Sequence, residues 1–497
     1  MKTIIATLLF IALSTTRSGE PEHAVSFANL DRRAIPGWYE DAKFGIFIHW
    51  GAYSVPAWSP KGSYAEWYQF WLDKKKTYGN VAPGAKEVHQ YHQETYGADY
   101  SYYQFGQDFK AERFDPKAWA DLFQTAGAKY IVLTTKHHDG FALWPSKQTE
   151  RAWSMPWNSM TAGPKKDLVG ELKREVNKTD VKFGLYYSLY EWFNPLYLKK
   201  DKSEYVRDYM IPQMKDLVNT YKPSILWTDG QWDLSTSEWE SKDFVSWLYT
   251  SSPIRDSVVI NGRWGKDMKP KEGPFLGNFI STENDGVEAL DGPWEECRGI
   301  GYSFGYNQNE DIRDYNTSQT LILMLIDIVS HGGNLLLDIG PDAHGEIPQV
   351  MKDRLTDIGA WLKINGEAIY GSRRWKEPVQ WSAGRRTSGV AYKKEKKLAY
   401  LGGDFILKQT VNPDPGDAVK EVFFTTKGDV VYAILPTWGR GGKLHLKDFS
   451  LNGRKVSLLE TGEGVDARQQ GTDVEISLPA FDPTRIRSRN AWVLKIS

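Results

Sequence analysis

Asp229 is the residue whose type and position most directly suggest chemistry. It lies two residues after a short apolar run, Ser224 to Trp227, and directly before Gly230. Because side chains alternate along a strand, the indole of Trp227 and the carboxylate of Asp229 would lie on the same side. An aromatic wall covers the apolar face of a sugar ring, and a carboxylate beside it can attack or stabilise a positively charged anomeric carbon. The alternative is an ordinary Asp-Gly turn that closes a strand.

Other apolar runs of the sequence also end in polar or aromatic residues. In chain order, these ends carry His49-Trp50, His137-His138, Tyr186-Tyr187 with Glu191, and Asn261-Gly262-Arg263. In a (β/α) barrel the chemistry lies where the strands end. Buried polar groups without partners cost about 1–3 kcal/mol each, so packing alone does not explain so many of them. These ends therefore predict one shared pocket.

The segment His137-His138-Asp139 also invites interpretation as a metal site. Adjacent residues of a strand point to opposite sides, and no other residues with metal-ligand spacing accompany these three. We therefore expect no metal ion, and we expect these side chains to form hydrogen bonds with sugar hydroxyl groups.

A glycosidic bond is hydrolysed by two carboxylates that flank it. Asp229 supplies one of them, but sequence spacing alone does not choose the second. Each candidate could also be a surface or structural carboxylate, and for Glu296 we prefer that interpretation. The candidates are Glu66, Glu191, Glu283, Glu295 and Glu296.

The elements that must position these residues alternate in type from about residue 36 to residue 370. Nearly continuous apolar runs predict parallel strands covered on both faces, and the stretches between them predict helices. The predicted strands span 44–49, 129–136, 181–189, 224–229, 257–261, 277–281 and 334–339. The predicted helices span 115–126, 167–176, 203–221 and 318–329. This alternation is typical of a (β/α) barrel or a doubly wound sheet, and the many polar strand ends favour a TIM-like (β/α) barrel.

After Gly371 the pattern changes to short β-like runs separated by Gly, Asn and Pro, from a run at 390–401 to one at 491–496. Alternation such as Leu444-His445-Leu446 is typical of a half-exposed antiparallel sheet. We predict a catalytic (β/α) barrel domain over 19–371 and a C-terminal antiparallel β-sandwich domain over 372–497.

The N-terminus and the charge balance limit where the chain acts and what it binds. A basic Lys2 and a short apolar stretch predict a signal peptide over 1–18, since a membrane span needs about 20 apolar residues. The mature chain is then secreted, periplasmic or lysosomal. Lys+Arg 62 against Asp+Glu 63 gives a net charge of −1, which does not attract nucleic acid or an anionic membrane. Glycosylation sequons begin at Asn177 and Asn316.

Together these segments resemble the α-L-fucosidases of glycoside hydrolase family 29, from about Trp38 to the C-terminus. The resemblance is carried by residues 38–39, 44–51, 66–68, 135–141, 185–188, 191–192, 227–230, 293–295, 332–334 and 339–341. The fold of that family, a (β/α)-type barrel followed by a β-sandwich, agrees with the patterns described above.

The resemblance implies a role for ten residues. Asp229 matches the nucleophile and Glu295 matches the general acid/base, with Glu283 and Glu296 as alternatives to Glu295. The positions of the fucose pocket are matched by His49, Glu66, Trp67, His137, His138, Tyr187, Trp227 and Arg263. The implied activity is that of a retaining exo-α-L-fucosidase that acts through a fucosyl-aspartate and needs no cofactor.

The implied partners are fucosylated oligosaccharides or glycoconjugates, and a homo-oligomer is possible. Trp227 and other aromatic residues would enclose the C5 methyl group, which distinguishes fucose from galactose. Two alternatives stay open, namely a non-catalytic fucose-binding protein and a different glycosidase such as an α-galactosidase-like enzyme.

Overall fold

The computed structural model describes residues 33–77, 84–269, 275–284, 290, 292–396, 402–439 and 442–497. The predicted signal peptide, residues 1–18, lies outside the described residues and stays a prediction. Within the described ranges no helix combines the length and the apolar character that a membrane crossing requires.

Eight parallel strands form one curled sheet, which confirms the predicted TIM-like barrel class. The strands are β1 (Phe44–Ile48), β2 (Tyr130–Lys136), β3 (Lys182–Ser188), β4 (Ile225–Asp229), β5 (Val259–Ile260), β6 (Ile280–Glu283), β7 (Trp294–Gly299) and β8 (Asn334–Ile339). Their order is β5-β4-β3-β2-β1-β8-β7-β6. Between the two edge strands, β5 and β6, the described residues form a single bridge, from Asn261 to Phe279. We call this junction the seam of the barrel.

Helices pack around this sheet, and the first of them places Tyr39 among the interior side chains of the barrel. The helices are α1 (Gly37–Ala42), α2 (Tyr68–Thr77), α3 (Ala85–Thr95), α4 (Phe105–Asp108), α5 (Pro116–Thr125), α6 (Lys147–Trp153), α7 (Leu168–Val176), α8 (Ile211–Tyr221), α9 (Ser241–Thr250), α10 (Ser318–Ser330) and α11 (Gln349–Asn365). The helices predicted over 115–126, 167–176 and 318–329 are confirmed as α5, α7 and α10. Helix α5 begins as expected, because the Asp115 side chain accepts hydrogen bonds from two backbone N–H groups of the first turn.

The helix predicted over 203–221 is confirmed, and it contains a stretch of different winding. Residues Tyr205–Met210 form wide π-type turns, and α8 follows. Pro212 explains the change, because proline has no N–H to donate and its ring would clash with a carbonyl one turn earlier.

Strand β7 was not predicted, because Glu295, Glu296 and Arg298 make its sequence look exposed. All six of its residues are nevertheless buried. Glu296 forms an ion pair with Arg298 at 2.6 Å and accepts a hydrogen bond from Thr282. Local pairing therefore makes the burial of these charges tolerable.

A second sheet of eight strands follows the barrel. Its strands are β9 (Arg373–Trp381), β10 (Lys420–Lys427), β11 (Val430–Leu435), β12 (Lys443–Leu446), β13 (Val456–Leu458), β14 (Gly464–Gln470), β15 (Asp473–Ser477) and β16 (Trp492–Ile496). The order is β12-β15-β14-β13-β16-β11-β10-β9, with antiparallel pairing throughout. One apolar cluster contains side chains from both ends of this order, including Leu446 and Val422, so the sheet folds over its own core. The predicted antiparallel C-terminal architecture is confirmed.

The β-like run predicted over 390–401 is wrong for its described part. Residues Gly389–Lys396 form helix α12, and Asp404–Lys408 form helix α13. Lysine and glutamate fill the end of the first segment, and both are good helix formers. The remaining residues of that run lie outside the described residues.

Helix α10 joins the barrel to the second sheet. It is buried from Thr320 to Ser330, as its apolar sequence predicts. Its one acidic residue, Asp327, forms an ion pair of 2.5 Å with Lys420 of β10, and both side chains are 4% exposed. Burial alone would raise the pKa of Asp327, but the Lys420 ammonium outweighs burial and holds that pKa below its usual value. The division of the chain at residue 371 stays a prediction.

The two sequons differ in their surroundings. Asn177 is exposed just after α7. Asn316 is partly buried, and its Nδ2 donates hydrogen bonds to the backbone oxygens of Gly299 and Ile300.

Candidate active site

The carboxyl ends of the barrel strands surround a cavity of about 580 Å³. Eight of the ten residues singled out from the sequence line it, namely Asp229, His49, Glu66, Trp67, His137, His138, Trp227 and Arg263. The structure does not bring Tyr187 or Glu295 to its surface. The cavity is also lined by Phe47, Tyr64, Tyr186, Gln231, Trp232, Met268, Glu283, Cys297 and Phe304, among others.

Arg263 holds two carboxylates at this cavity. Its Nη1 lies 2.8 Å from Asp229 Oδ1, and its Nη2 lies 3.3 Å from Glu283 Oε2. Its Nε donates to Ser281 Oγ at 2.9 Å, which fixes the plane of the guanidinium group. Asp229 ends β4 and Glu283 ends β6, so one side chain spans the seam and brings the two acids together.

The electrostatics of the two carboxylates differ. Burial has the largest effect on Glu283 and raises its pKa. Arg263 lowers that pKa and Asp229 raises it, and the net result is a pKa above the usual value of glutamate. Burial would lower the pKa of Arg263, but the two carboxylates that face it raise it instead. Glu283 is therefore biased toward its protonated form, while the Asp229 carboxylate has a permanent cation as its neighbour.

Tyr186, rather than Tyr187, is the tyrosine of β3 that faces the cavity. Tyr186 Oη donates to Asp229 Oδ2 at 3.1 Å. Tyr187 points to the other side of the sheet, where its Oη donates to Gln213 Oε1 at 2.7 Å. The two differ because successive side chains of a strand alternate between its faces, so the pocket position that resemblance gave to Tyr187 belongs to its neighbour.

Glu191 is also outside the cavity. Its Oε1 lies 2.6 Å from Lys136 Nζ, and both side chains are fully buried. Tyr209 Oη and Asn194 Nδ2 donate to the same carboxylate at 2.7 Å each. Every oxygen of Glu191 is therefore occupied behind the strands, which removes it as a candidate for the second catalytic carboxylate.

Glu295 lies deeper in the barrel than the cavity. It is 1% exposed, and it accepts hydrogen bonds from Tyr39 Oη at 2.9 Å, Tyr130 Oη at 2.5 Å and Trp227 Nε1 at 2.9 Å. The register of β6 and β7 pairs Glu283 with Cys297, whereas Glu295 pairs with Ser281. Glu295 is thus two residues below the level of Glu283, where it anchors the indole of Trp227.

Aromatic rings form the apolar wall of the cavity. The Trp227 ring stacks on Tyr186 with centroids 5.7 Å apart, and Phe47 lies 5.1 Å from it. The guanidinium carbon of Arg263 lies 4.7 Å above the same indole. Trp227 and Asp229 share one side of β4, as their spacing predicts.

Three neutral histidines complete the polar side of the cavity. Burial lowers the pKa of His49, His137 and His138 well below the usual value, and the neighbouring cations or histidines lower it further. His138 Nδ1 is 2.6 Å from Ser188 Oγ, and its Nε2 is 3.6 Å from Asp229 Oδ2. Neutral imidazole can both donate and accept, which suits hydroxyl groups.

Asp139 turns away from these histidines. It accepts hydrogen bonds from Tyr102 Oη at 2.8 Å and from the Phe141 backbone N–H at 3.1 Å. In the part of the chain that the structure describes, no three His, Cys, Asp or Glu side chains are grouped as metal ligands.

Two family profiles and several known proteins match this chain over most of its length. The alpha-L-fucosidase family profile matches residues 10–367, and the profile of the alpha-L-fucosidase C-terminal domain matches residues 416–497. Alpha-L-fucosidase of Dictyostelium discoideum is 41% identical over 404 residues, which cover 79% of this chain and 84% of that protein. Tissue alpha-L-fucosidase of Homo sapiens is 36% identical over 506 residues, covering 99% of this chain and 96% of that protein.

A solved structure agrees with these relatives. Thermotoga maritima alpha-fucosidase in complex with a mechanism-based inhibitor is 32% identical and has a TM-score of 0.74. The match covers 95% of this chain and 99% of that chain.

The chain belongs to the alpha-L-fucosidase family. The resemblance identified from the sequence motifs is thereby confirmed, and the protein is a glycoside hydrolase with alpha-L-fucosidase activity.

Within this fucosidase, Asp338 is a residue that the sequence analysis missed. It lies in β8, and its Oδ1 is 2.6 Å from His49 Nδ1. Burial, helped by Glu66, raises the pKa of Asp338, while burial and His137 lower that of His49. Asp338 Oδ2 has no hydrogen-bond partner among the described residues, which would be costly for an ionised oxygen. These features favour a neutral carboxyl group that donates to Nδ1, which leaves the Nε2–H of His49 to donate into the cavity.

Asp338→Asn is expected to keep kcat/KM for an α-L-fucoside within about threefold, because an amide can also donate to Nδ1. Asp338→Leu leaves Nδ1 without a partner and is expected to lower kcat/KM about tenfold to a hundredfold, or ~1–3 kcal/mol. Steady-state kinetics measures both, with thermal unfolding to verify folding. Equal losses in the two folded variants would show that the negative charge of Asp338 matters and would overturn the neutral assignment.

Glu66 faces the fucosidase cavity from a single 3₁₀ turn, Ala65–Trp67. Its Oε2 accepts hydrogen bonds from Ser303 Oγ at 3.1 Å and from the Gly305 N–H at 2.9 Å. Burial raises its pKa to about 8, although these hydrogen bonds lower it in part. Near neutral pH Glu66 is therefore mostly protonated, and it can donate to a sugar oxygen as well as accept from a hydroxyl.

Proposed function

We propose that this alpha-L-fucosidase acts with retention of configuration, with Asp229 as nucleophile and Glu283 as general acid/base. The observation that carries the proposal is the shared guanidinium of Arg263, which contacts both carboxylates at the mouths of β4 and β6. A retaining glycosidase needs two carboxyl groups about 5–5.5 Å apart, one ionised and one protonated. Arg263 and Tyr186 contact the two oxygens of Asp229, and burial favours the protonated form of Glu283.

The reaction then has two steps. Asp229 attacks the anomeric carbon of the α-L-fucoside while the Glu283 carboxyl group protonates the leaving oxygen, so that a fucosyl-aspartate forms. In the second step the Glu283 carboxylate takes a proton from water, and the water oxygen displaces Asp229.

Glu295, the partner implied by resemblance, is less well suited to that role. It is 1% exposed, and its carboxylate accepts hydrogen bonds from Tyr39, Tyr130 and Trp227. A general acid must reach the leaving oxygen directly or through one water. We therefore assign Glu295 to the support of Trp227 and keep Glu283 as the acid/base.

The rest of the cavity fits a small deoxysugar. His49, His137, His138 and Glu66 offer neutral donors and acceptors for ring hydroxyl groups, and Trp227, Phe47 and Tyr186 offer an apolar wall for the methyl group. The substrates would be terminal α-L-fucose residues of glycans or glycoconjugates. Export through a signal peptide over 1–18, a catalytic domain over 19–371 and a C-terminal domain over 372–497 belong to the same proposal.

The anomeric configuration of the first product tests the mechanism. Proton NMR of an α-L-fucoside digest is expected to show α-L-fucose first, followed by slow mutarotation to the β-anomer. Initial appearance of β-L-fucose would mean inversion and would exclude a fucosyl-aspartate. The matching α-L-galactoside, which carries a hydroxymethyl group in place of the methyl group, is expected to react far more slowly.

A further inference from the structure

Trp232 is an exposed aromatic residue at the edge of the catalytic cavity. Among the residues that the structure describes, six large apolar side chains are strongly exposed, and Trp232 is the one that lines this cavity. It is 42% exposed, whereas Trp227 and Phe47 of the same cavity are 1% and 2% exposed. Trp232 therefore marks the mouth of the cavity, and the buried rings mark its floor.

The Trp232 ring is held in place on its inner side. Its centroid lies 5.3 Å from that of His138, 5.9 Å from that of Tyr190 and 6.0 Å from that of Trp67. The first two rings meet it at steep angles, 61° and 74°. An indole supported in this way keeps an open surface toward solvent at little cost in conformational freedom.

Gln231, the neighbour of Trp232, also lines the cavity. Its Oε1 is buried and has no hydrogen-bond partner among the described residues. Its backbone is held, because Trp239 Nε1 donates to the Gln231 carbonyl oxygen at 3.3 Å. A buried acceptor without a partner is costly, and a ligand hydroxyl or amide N–H would satisfy it.

We propose that Trp232 and Gln231 form a binding subsite for the leaving group, and that this subsite takes a hexopyranose ring. The inference rests on the proposed function, in which fucose occupies the closed end of the cavity beside Asp229. The sugar to which fucose is linked must then lie at the mouth of the cavity. There its apolar face stacks on the Trp232 indole, and one of its hydroxyl or acetamido groups donates to Gln231 Oε1.

Two substrates separate this subsite from the fucose pocket. One is a disaccharide in which α-L-fucose is linked to a hexopyranose, and the other is α-L-fucosyl fluoride, whose leaving group has no ring. Trp232→Ala is expected to lower the ratio of kcat/KM for the disaccharide to kcat/KM for the fluoride about tenfold, and Gln231→Ala about threefold. Trp232→Phe keeps an aromatic surface and should restore most of the ratio.

Phe481→Ala is the matched control, since Phe481 is an exposed aromatic residue, 46% exposed, in the second sheet region and outside the cavity. It should leave the ratio unchanged. If Trp232→Ala leaves the ratio unchanged, whether or not both activities fall, the proposed subsite is wrong. If the unaltered enzyme fails to hydrolyse α-L-fucosyl fluoride, the proposed function fails instead, so the two failures are distinguishable.

Discussion

Asp229→Gly is expected to lower the turnover of an aryl α-L-fucoside by about 10⁴-fold or more, because the covalent route is lost with the nucleophile. Azide is small enough to enter the space that the side chain leaves. It should restore turnover and yield β-L-fucosyl azide, the product of a single displacement. Rates with and without azide, together with NMR of the product, measure this.

The adjacent surface offers a control. Asp233 is an exposed aspartate four residues later, and it accepts a hydrogen bond from Tyr197 Oη at 2.7 Å. Asp233→Gly should retain activity and show no response to azide. If Asp229→Gly keeps most of its activity, or if azide yields the α-anomer, Asp229 is not the nucleophile.

Glu283→Ala is expected to lower kcat/KM about 10²- to 10⁴-fold on substrates with a sugar leaving group, the range typical of lost general acid catalysis. The loss should be much smaller for an aryl leaving group that departs without a proton. Azide should then accept the fucosyl group from Asp229 and give α-L-fucosyl azide. The raised pKa of Glu283 keeps it protonated to a higher pH than an ordinary glutamate, so activity should fall as pH rises through that pKa, and this basic limb should be absent in the variant.

Glu295→Gln is the matched comparison for that experiment. Its amide oxygen can still accept the hydrogen bond from Trp227 Nε1, so the wall of the cavity keeps its position. We expect a loss that does not depend on the leaving group, no acceleration by azide and an unchanged basic limb. The reverse pattern, with azide products from Glu295→Gln and none from Glu283→Ala, would restore Glu295 as the acid/base.

The position of Asp229 was easier to predict from the sequence than that of the second carboxylate, and the reason is geometric. Asp229 and Trp227 lie on one strand, and alternation along that strand is enough to place them together. The depth of Glu295 relative to Glu283 depends on the register between β6 and β7. Register is a property of two strands, and neither strand alone contains it. Strand β7 was missed altogether, because Glu295, Glu296 and Arg298 are typical of an exposed segment, and the buried partners of Glu295 are distant in sequence.

Two tyrosines illustrate the same limit. Tyr186 and Tyr187 are adjacent, and only the position of the strand relative to the barrel axis determines which one faces Asp229. Asp338, in contrast, left a signal, since it is an acid inside the apolar run of β8. Such a residue is rarely buried without a partner, and His49 is the partner that the fold supplies.

The seam of the barrel has a consequence for how such enzymes diversify. Strand β4, which ends in Asp229, is paired on both sides, whereas β6, which ends in Glu283, has full strand pairing only with β7 among the residues that the structure describes. Insertions and substitutions beside the seam disturb fewer ladder hydrogen bonds than changes elsewhere in the sheet. A mutant library aimed at residues 264–293 can therefore vary the surroundings of Glu283, the proposed acid/base, while the strand that carries Asp229 keeps its pairing on both sides.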